Sequence, residues 1–177
     1  MEFHDAANFL FGLRRYPPRP GLAATESLLA HLGDPHEDLS IVQVAGSNGK
    51  GSTARMTESV LREAGLDVGL YTSPHLDSVR ERVRINGRRL TETALTEYVE
   101  TVQPYVLDRA AETESPTFFE TVTGLAFWAF ARNEVDVAIL EVGIGGRYDA
   151  TSVADPLVSA VTSVALEMPR RHPRAAS

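Results

Sequence analysis

The sequence predicts an α/β protein built on a parallel sheet, and three observations support this class. Short apolar runs rich in β-branched residues, typical of buried strands, occur at residues 40–45, 67–73 and 135–143. Segments of helical length and spacing separate these runs, as βαβ units require. A glycine-rich loop at residues 46–52 joins the first run to a helical segment. We therefore expect a parallel sheet with helices on both faces.

Composition limits the classes of protein to which the chain can belong. With 177 residues, 43% apolar and 23% charged, it has the size and balance of one soluble globular domain. The absence of cysteine excludes disulfides and thiolate metal sites and is typical of a cytoplasmic protein. The formal charge of −7 argues against a nucleic-acid partner. The chain also has no apolar run long enough to cross a bilayer and no signal-peptide pattern, so no membrane partner is expected.

Two helices are expected in the first 33 residues. Residues 16–21 (YPPRPG) separate them, because the prolines in this stretch forbid a continuous helix. The second helix carries a leucine stripe and ends at Gly33, a residue type that favours the left-handed conformation found after helices. The strand at 40–45 follows it.

The segment after the glycine-rich loop has helical spacing. Apolar residues at Met56, Val60 and Leu61 predict a helix over residues 53–65. The run DVGLYTS, at residues 67–73, then predicts the second strand. A strand, a helix and a second strand in this order form one βαβ unit.

A β-hairpin is predicted at residues 80–90 (RERVRINGRRL). Apolar and polar residues alternate on either side of Asn86-Gly87, which is a strong signal for a two-residue turn. Thr91 can cap a helix that runs from about residue 92 to residue 109. The hairpin therefore leads directly into a helix.

The second half of the chain is more apolar than the first. Residues 117–133 predict a buried helix, and the runs at 135–143 and 156–166 are of the kind that fills central parallel strands. The last nine residues (PRRHPRAAS) have no apolar pattern, and we assign no chemistry to the histidine among them. We expect one domain over residues 1–167 and an irregular tail over 168–177. Three explanations of the tail are open: a truncated product, a frame-shifted one with a non-native reading frame, and a fragment of a longer gene.

The sequence VAGSNGKGST, at residues 44–53, contains the only lysine of the chain, Lys50; every other basic residue is an arginine. A strand, a glycine-rich loop and a helix form the context of a phosphate-binding loop, where backbone N–H groups converge on phosphate oxygens. A compact ammonium fits such a loop, whereas the planar fork of arginine does not. The hydroxyl of Ser52 is placed to bind Mg²⁺. The residues expected to bind the nucleotide are Gly46, Ser47, Asn48, Gly49, Lys50, Gly51, Ser52 and Thr53.

The loop departs from the usual phosphate-binding pattern, because Gly51 lies between Lys50 and Ser52. In this form, GSNGKGS closely resembles the G-T-N-G-K-G-S loop of folylpolyglutamate synthases and dihydrofolate synthases, which belong with the Mur ligases. Further blocks that resemble this family follow in the same order: GLYTSPHL (69–76), ERVRING (81–87), TFFETVTGLAF (117–127) and LEVGIGGRYDAT (140–151). The resemblance spans roughly residues 20–167. It implies a parallel-sheet, phosphate-loop ATPase domain of the Mur-ligase type.

The resemblance also implies an activity and roles for individual residues. Family members join glutamate to dihydropteroate or a folate in the cytoplasm, usually as monomers. ATP and Mg²⁺ are the cofactors, and the substrate carboxylate becomes an acyl phosphate. Lys50 would neutralise the γ-phosphate, and Glu141 would bind the metal and assist catalysis. Ser73 would bind a second Mg²⁺, and Pro74 and Arg82 would line the folate pocket. Glu141 also ends a predicted buried strand, where open α/β sheets place their ligand sites, and the alternative is a solvent-facing glutamate. Read alone, Arg82 would be one more exposed arginine in a charged hairpin.

The chain departs from the family pattern in its last residues. Where the family has an L-D-H signature, this chain reads Leu166-Glu167-Met168, and the lysine and the C-terminal ligase domain that follow in the family are absent. Ser152 also replaces a family asparagine, which is expected to weaken one hydrogen bond. We therefore expect a truncated form. Two alternatives to a folate ligase are open: a catalytically incompetent nucleotide-binding remnant and another Mur-type ligase acting on a cell-wall precursor. The TSPHL and TFFE segments favour folate over a cell-wall precursor.

Overall fold

The computed structural model describes residues 1–15, 21–111, 115–143 and 146–165. Within these residues a six-stranded sheet has the order β4-β3-β2-β5-β1-β6. The strands are β1 Ile41–Ala45, β2 Val68–Tyr71, β3 Val83–Ile85, β4 Arg88–Arg89, β5 Val137–Glu141 and β6 Val158–Val161. Strands β2, β5, β1 and β6 run parallel, and β3 and β4 add an antiparallel hairpin at one edge. The predicted α/β class is confirmed, with a sheet that is mostly rather than wholly parallel.

Five α-helices lie in the described residues: α1 Phe3–Gly12, α2 Ala23–His31, α3 Lys50–Glu63, α4 Glu92–Ala111 and α5 Phe118–Arg132. Short 3₁₀ turns lie at Leu13–Arg15, Val79–Arg82 and Ala150–Val153. Gly33, which follows α2, has a φ of 80°, as the predicted helix end requires. Most of the proline-rich break between the first two helices lies outside the described residues.

Capping and turn signals in the sequence are confirmed. The N–H of Ala94 donates to Thr91 Oγ1 at 3.1 Å, so Thr91 caps α4. Thr117 and Glu120 form a capping box at the start of α5. The turn residues Asn86 and Gly87 both have positive φ, 49° and 76°, the combination found in a type I′ hairpin.

Helix α3 differs from its prediction in where it begins and in the face that it buries. It starts at Lys50 rather than at residue 53, directly after Gly49, which has a φ of 80°. Its buried residues are Ala54 and Glu58, whereas Met56 is 62% and Val60 67% exposed. Small side chains let this helix lie close to the sheet. Leu61, the third residue of the predicted spacing, is partly buried against the sheet. The spacing therefore identified the helix and one of the residues that it packs on the sheet, but not Ala54 or Glu58.

The two faces of the sheet carry unequal layers. Helices α1, α2, α4 and α5 cover one face and enclose the main core, which includes Leu28, Tyr98, Leu125, Phe127 and Phe130. Helix α3 lies on the other face, where a small separate cluster is buried: Val44, Ala54, Val68, Leu70 and Ile139. Helices on both faces were predicted, and this is confirmed.

Strand β5 is central in the sheet, as predicted, but β6 is not. The apolar run at 156–166 was expected to form a second central strand, and this is wrong: β6 pairs only with β1 and lies at the edge of the described sheet. Leu157, Val158 and Val161 are accordingly 75%, 56% and 63% exposed. The expected boundary at 167 and the tail at 168–177 lie outside the described residues. In the part of the chain that the structure describes, no helix is long and apolar enough to span a membrane.

Candidate nucleotide-binding site

The glycine-rich loop lies at the carboxyl end of β1 and leads into α3. The N–H of Thr53 donates to Gly49 O at 2.9 Å, which is the first hydrogen bond of the helix. The N–H groups of Lys50, Gly51 and Ser52 precede this bond and have no acceptor within the helix. Three donors and the positive end of the helix dipole therefore meet at this point, as an anion-binding site requires.

The side chain of Lys50 folds back over the loop. Its Nζ donates to Gly46 O at 2.9 Å and is partly buried. In the described residues no carboxylate pairs with this ammonium group. Lys50 therefore brings an unneutralised positive charge to the loop, where a phosphate group can use it.

A second segment, residues 162–165, holds the loop from the β6 side. Ser47 N–H donates to Ser163 O at 2.8 Å, and Asn48 N–H donates to Ser163 Oγ at 3.1 Å. Thr162 Oγ1 donates to Asn48 O at 2.6 Å, and Ala165 N–H donates to Ser47 Oγ at 2.9 Å. The amides of Ser47 and Asn48 are therefore engaged within the protein, whereas those at the start of α3 remain available.

The contact between this segment and the loop requires glycine at position 46. Gly46 has a φ of 134°, and a Cβ on it would lie 2.2 Å from Thr162 Oγ1. Thr162 and Ser163 were not identified from the sequence, because they follow the loop by more than a hundred residues. Both lie inside the run predicted as a strand, whereas β6 ends before them at Val161.

Glu141 is the last residue of β5 and is 5% exposed, so the alternative of a solvent-facing glutamate is excluded. Its Oε2 accepts a hydrogen bond from Ser73 N–H at 2.8 Å. A Cβ on Gly51 would lie 3.3 Å from its Oε1, so the carboxylate faces the first turn of α3. In the described residues it forms no ion pair, and a buried carboxylate with one donor is costly unless a cation lies beside it.

The residues present fit a magnesium ion in their chemistry. Glu141 supplies a carboxylate oxygen. Two serines near it supply hydroxyl oxygens: Ser52 follows Gly51, which faces the carboxylate, and the N–H of Ser73 donates to that carboxylate. The described residues contain no cluster of three or more acidic, histidine or cysteine side chains. Mg²⁺ sites beside phosphates need only one or two carboxylates, so this donor set is sufficient.

Arg82 lies in a different environment from the charged hairpin that its sequence context suggested. It is only 7% exposed, so its interpretation as an exposed arginine is wrong. Its Nε donates to His75 Nδ1 at 2.8 Å, and its guanidinium lies 5.1 Å from the centre of the Phe118 ring. Burial and the charges of Arg82 and Arg14 lower the pKa of His75, which favours the neutral acceptor form. Pro74 is exposed beside this cluster, after a cis peptide bond.

Asp149 organises the loop after β5 and was not identified from the sequence. Its carboxylate accepts hydrogen bonds from Gly143 N–H at 2.9 Å and from the N–H and Oγ1 of Thr151 at 3.0 and 2.6 Å. An aspartate two residues before a threonine was the available signal for this turn. Ser152 Oγ donates to Gly146 O at 2.7 Å and accepts from Gln43 Nε2 at 3.3 Å, so it holds the loop in place of the family asparagine.

Comparisons with known proteins agree with this arrangement. The chain is 66% identical over 168 residues to the probable bifunctional folylpolyglutamate synthase/dihydropteroate synthase of Halobacterium salinarum, covering 94% of this chain and 21% of that protein. It is 39% identical over 165 residues to the dihydrofolate synthase/folylpolyglutamate synthase of Bacillus subtilis, covering 92% and 38%. A folylpolyglutamate synthase–AMPPCP–folate complex is 36% identical with a TM-score of 0.85, covering 96% and 42%. No family model matches the chain.

The chain therefore spans between 21% and 42% of the length of these relatives. The match falls on their N-terminal part and includes nearly all of this chain. Identity of 66% together with a closely similar fold leaves no doubt about common ancestry. The chain belongs to the family of folylpolyglutamate and dihydrofolate synthases, whose N-terminal part it represents.

Proposed function

We propose that this chain is the nucleotide-binding part of an ATP-dependent ligase that joins L-glutamate to dihydropteroate or a folate. One observation carries the proposal: the buried carboxylate of Glu141 faces Gly51 in the first turn of α3, directly after the glycine-rich loop. A carboxylate and a phosphate repel each other unless a cation lies between them. This arrangement is what an ATP site with a metal requires.

In this proposal the loop from Gly46 to Thr53 surrounds the phosphates of ATP. The N–H groups at the start of α3 and the ammonium of Lys50 donate to phosphate oxygens, which offsets the charge of the transferred group. Glu141, Ser52 and Ser73 would hold Mg²⁺. When bound, Mg²⁺ neutralises phosphate charge during transfer.

Pro74 and Arg82 are proposed to line the folate pocket. Arg82 offers a buried guanidinium next to the Phe118 ring, a combination suited to a flat aromatic acid. A relative has been solved as an AMPPCP–folate complex, which supports ATP and folate as ligands of this family. The substrate carboxylate would take the γ-phosphoryl group of ATP and release ADP. The glutamate amine would then attack the acyl carbon of this acyl phosphate, form the amide and displace inorganic phosphate. We also propose a cytoplasmic location and a monomeric state for the whole enzyme.

A second candidate is a nucleotide-binding protein without ligase turnover. The observation that favours it is that the loop, Lys50 and Glu141 of the candidate nucleotide site all lie within this chain. The other alternative, a ligase for a cell-wall precursor, has no such support, because the relatives compared above are named as folate enzymes.

The test is calorimetric titration of the chain with AMPPCP and Mg²⁺, using wild type, Lys50→Ala and Arg132→Ala. Lys50→Ala should weaken binding about 100-fold, roughly 2.7 kcal/mol, because it removes the cation of the loop. Arg132→Ala removes an equal charge from the far end of α5 and should bind like wild type. Equal affinity in all three proteins would refute the phosphate loop. Phosphate release from ATP that depends on glutamate and folate would then separate the ligase from the second candidate.

A further inference from the structure

Four arginines converge where α3 meets the β3–β4 hairpin: Arg55, Arg62, Arg84 and Arg89, here called the arginine cluster. Arg84 and Arg89 are directly opposite each other in the register of β3 and β4, where like charges repel. Burial and the charges of Arg55 and Arg89 lower the pKa of Arg84. Arg62 Nη1 lies 2.6 Å from where a Cβ on Gly87 would be. The hairpin and the helix thus bring like charges together.

The acidic groups near the cluster already have other partners. Glu58 is buried and pairs with Arg62 at 3.4 Å. The carboxylate of Glu81 accepts hydrogen bonds from the N–H groups of residues 76–78, at 2.9 to 3.2 Å. These bonds lower the pKa of Glu81, and the charge of Arg89 lowers it further. In the described residues, Glu58 is therefore the one carboxylate that forms an ion pair with the cluster, and it pairs only with Arg62.

The remaining arginines have unused donors. Arg84 Nε is buried without a hydrogen-bond partner, although Arg84 Nη1 donates to Gly87 O at 3.2 Å. In the described residues Arg55, Arg84 and Arg89 form no ion pair. An unpaired buried donor and repulsion between like charges both cost free energy, and an anion bound among these groups would offset both.

A cavity of about 490 Å³ lies beside the cluster. Two arginines of the cluster, Arg62 and Arg89, line it together with Arg88, whereas Arg55 and Arg84 do not line it. The other lining residues are Ile85, Asn86, Leu90, Thr91, Ala94 and Asn133. This volume is typical of small-molecule sites. Asn86 Oδ1 accepts a hydrogen bond from Val68 N–H at 2.7 Å, which places the cavity at the beginning of β2. The phosphate loop lies at the opposite end of the parallel strands, so the two sites are separate.

We propose that the arginine cluster and this cavity form a binding site for a small organic anion with two or more carboxylate or phosphate groups. Guanidinium groups match the oxygen pairs of carboxylates and phosphates with two parallel hydrogen bonds. A ligand with a single charge would leave the cluster cationic, because Glu58 balances only Arg62. The site is independent of the proposed ligase activity.

The experiment is calorimetric titration of Lys50→Ala with citrate and, separately, with pyrophosphate at constant ionic strength. Lys50→Ala serves as the parent so that the phosphate loop does not compete for pyrophosphate. Citrate binding alone identifies a carboxylate ligand, and tighter pyrophosphate binding identifies a phosphate ligand. Adding Arg89→Gln should weaken binding about tenfold or more, whereas adding the matched control Arg132→Gln should leave it unchanged.

Thermal unfolding gives a second readout. Without ligand, Arg89→Gln should melt at or above the temperature of its parent, because it removes repulsion from Arg84. Citrate should raise the melting temperature of the parent and of Arg132→Gln, but not that of Arg89→Gln. The proposal is overturned if the parent binds neither anion at millimolar concentration, or if the two arginine variants respond alike.

Discussion

The two faces of the sheet differ in what they bury. The face covered by α1, α2, α4 and α5 encloses large aromatic and aliphatic side chains, with Tyr98, Phe127 and Phe130 all at 0% exposure. The α3 face encloses five smaller apolar residues and two buried carboxylates, Glu58 and Glu141. Burial of apolar surface stabilises the folded state, whereas burial of an unpaired charge destabilises it. One face therefore supplies most of the stability, and the other holds the proposed nucleotide site.

The difference follows from how closely α3 approaches the sheet. Gly51 and Ala54 carry little or no side chain on the buried side of this helix, which lets Glu141 face its first turn. Larger side chains there would add apolar contact but would fill the space beside the carboxylate. Helix α5 has the opposite composition, because its buried positions carry several aromatic residues.

The largest expected effect is on stability, from Phe127→Ala. Phe127 lies at 0% exposure in the main core, and removing its ring should cost about 3–5 kcal/mol of the free energy of unfolding. The midpoint of thermal unfolding should fall by about 10 °C. Urea unfolding followed by circular dichroism measures the change.

The control for this prediction comes from the α3 face. Val60 is 67% exposed, so Val60→Ala should change the free energy of unfolding by less than about 0.5 kcal/mol. A comparable loss in both variants would show that burial does not decide the cost of a substitution, which would contradict the prediction for Phe127.

The next effect is on binding, from Thr162→Val. This change keeps the shape of the side chain but removes the hydroxyl that donates to Asn48 O at 2.6 Å, so the loop loses part of its support. AMPPCP affinity should fall about tenfold, roughly 1.4 kcal/mol, with a smaller change in the free energy of unfolding. Thr101→Val removes a similar hydroxyl from the surface of α4 and should leave affinity unchanged. A loss of stability larger than the loss of affinity would make Thr162 a structural residue only.

Features governed by neighbours in the sequence were predictable. The Asn86-Gly87 turn, the Thr91 cap and the helix end at Gly33 follow from backbone preferences that act over a few residues. The glycine-rich loop and the apolar run before Glu141 also identified the carboxyl edge of the sheet as the candidate site. For these elements, the residues close together in the sequence were enough to predict the structure.

Features that depend on distant contacts were not predictable. The run at 156–166 has the composition of a central strand, but composition does not state which strands pair with it, and β6 lies at an edge. Asn48 O accepts a hydrogen bond from Thr162 Oγ1, 114 positions away, and Asn48 N–H donates one to Ser163 Oγ, 115 positions away. The buried position of Arg82 depends on His75 and Phe118, which come from different elements.

The smallest effect concerns the hydroxyl of Tyr98 inside the main core. This group donates to Thr121 O at 2.6 Å at zero exposure, so Tyr98→Phe should cost about 1 kcal/mol at pH 7. Burial raises the pKa of Tyr98 well above 10, whereas a tyrosine in the unfolded chain ionises at about 10. Ionisation therefore favours the unfolded state once the pH passes 10. The difference in the free energy of unfolding between wild type and Tyr98→Phe should then become smaller. Urea unfolding of wild type and variant at neutral pH and above pH 10 measures this difference.

Tyr148→Phe, at a residue 64% exposed, is the matched control and should cost less than about 0.5 kcal/mol at pH 7. If the stability difference between wild type and Tyr98→Phe did not change with pH, the core near Tyr98 would accommodate the charged phenolate. The contrast between the two faces would then be weaker than the burial indicates.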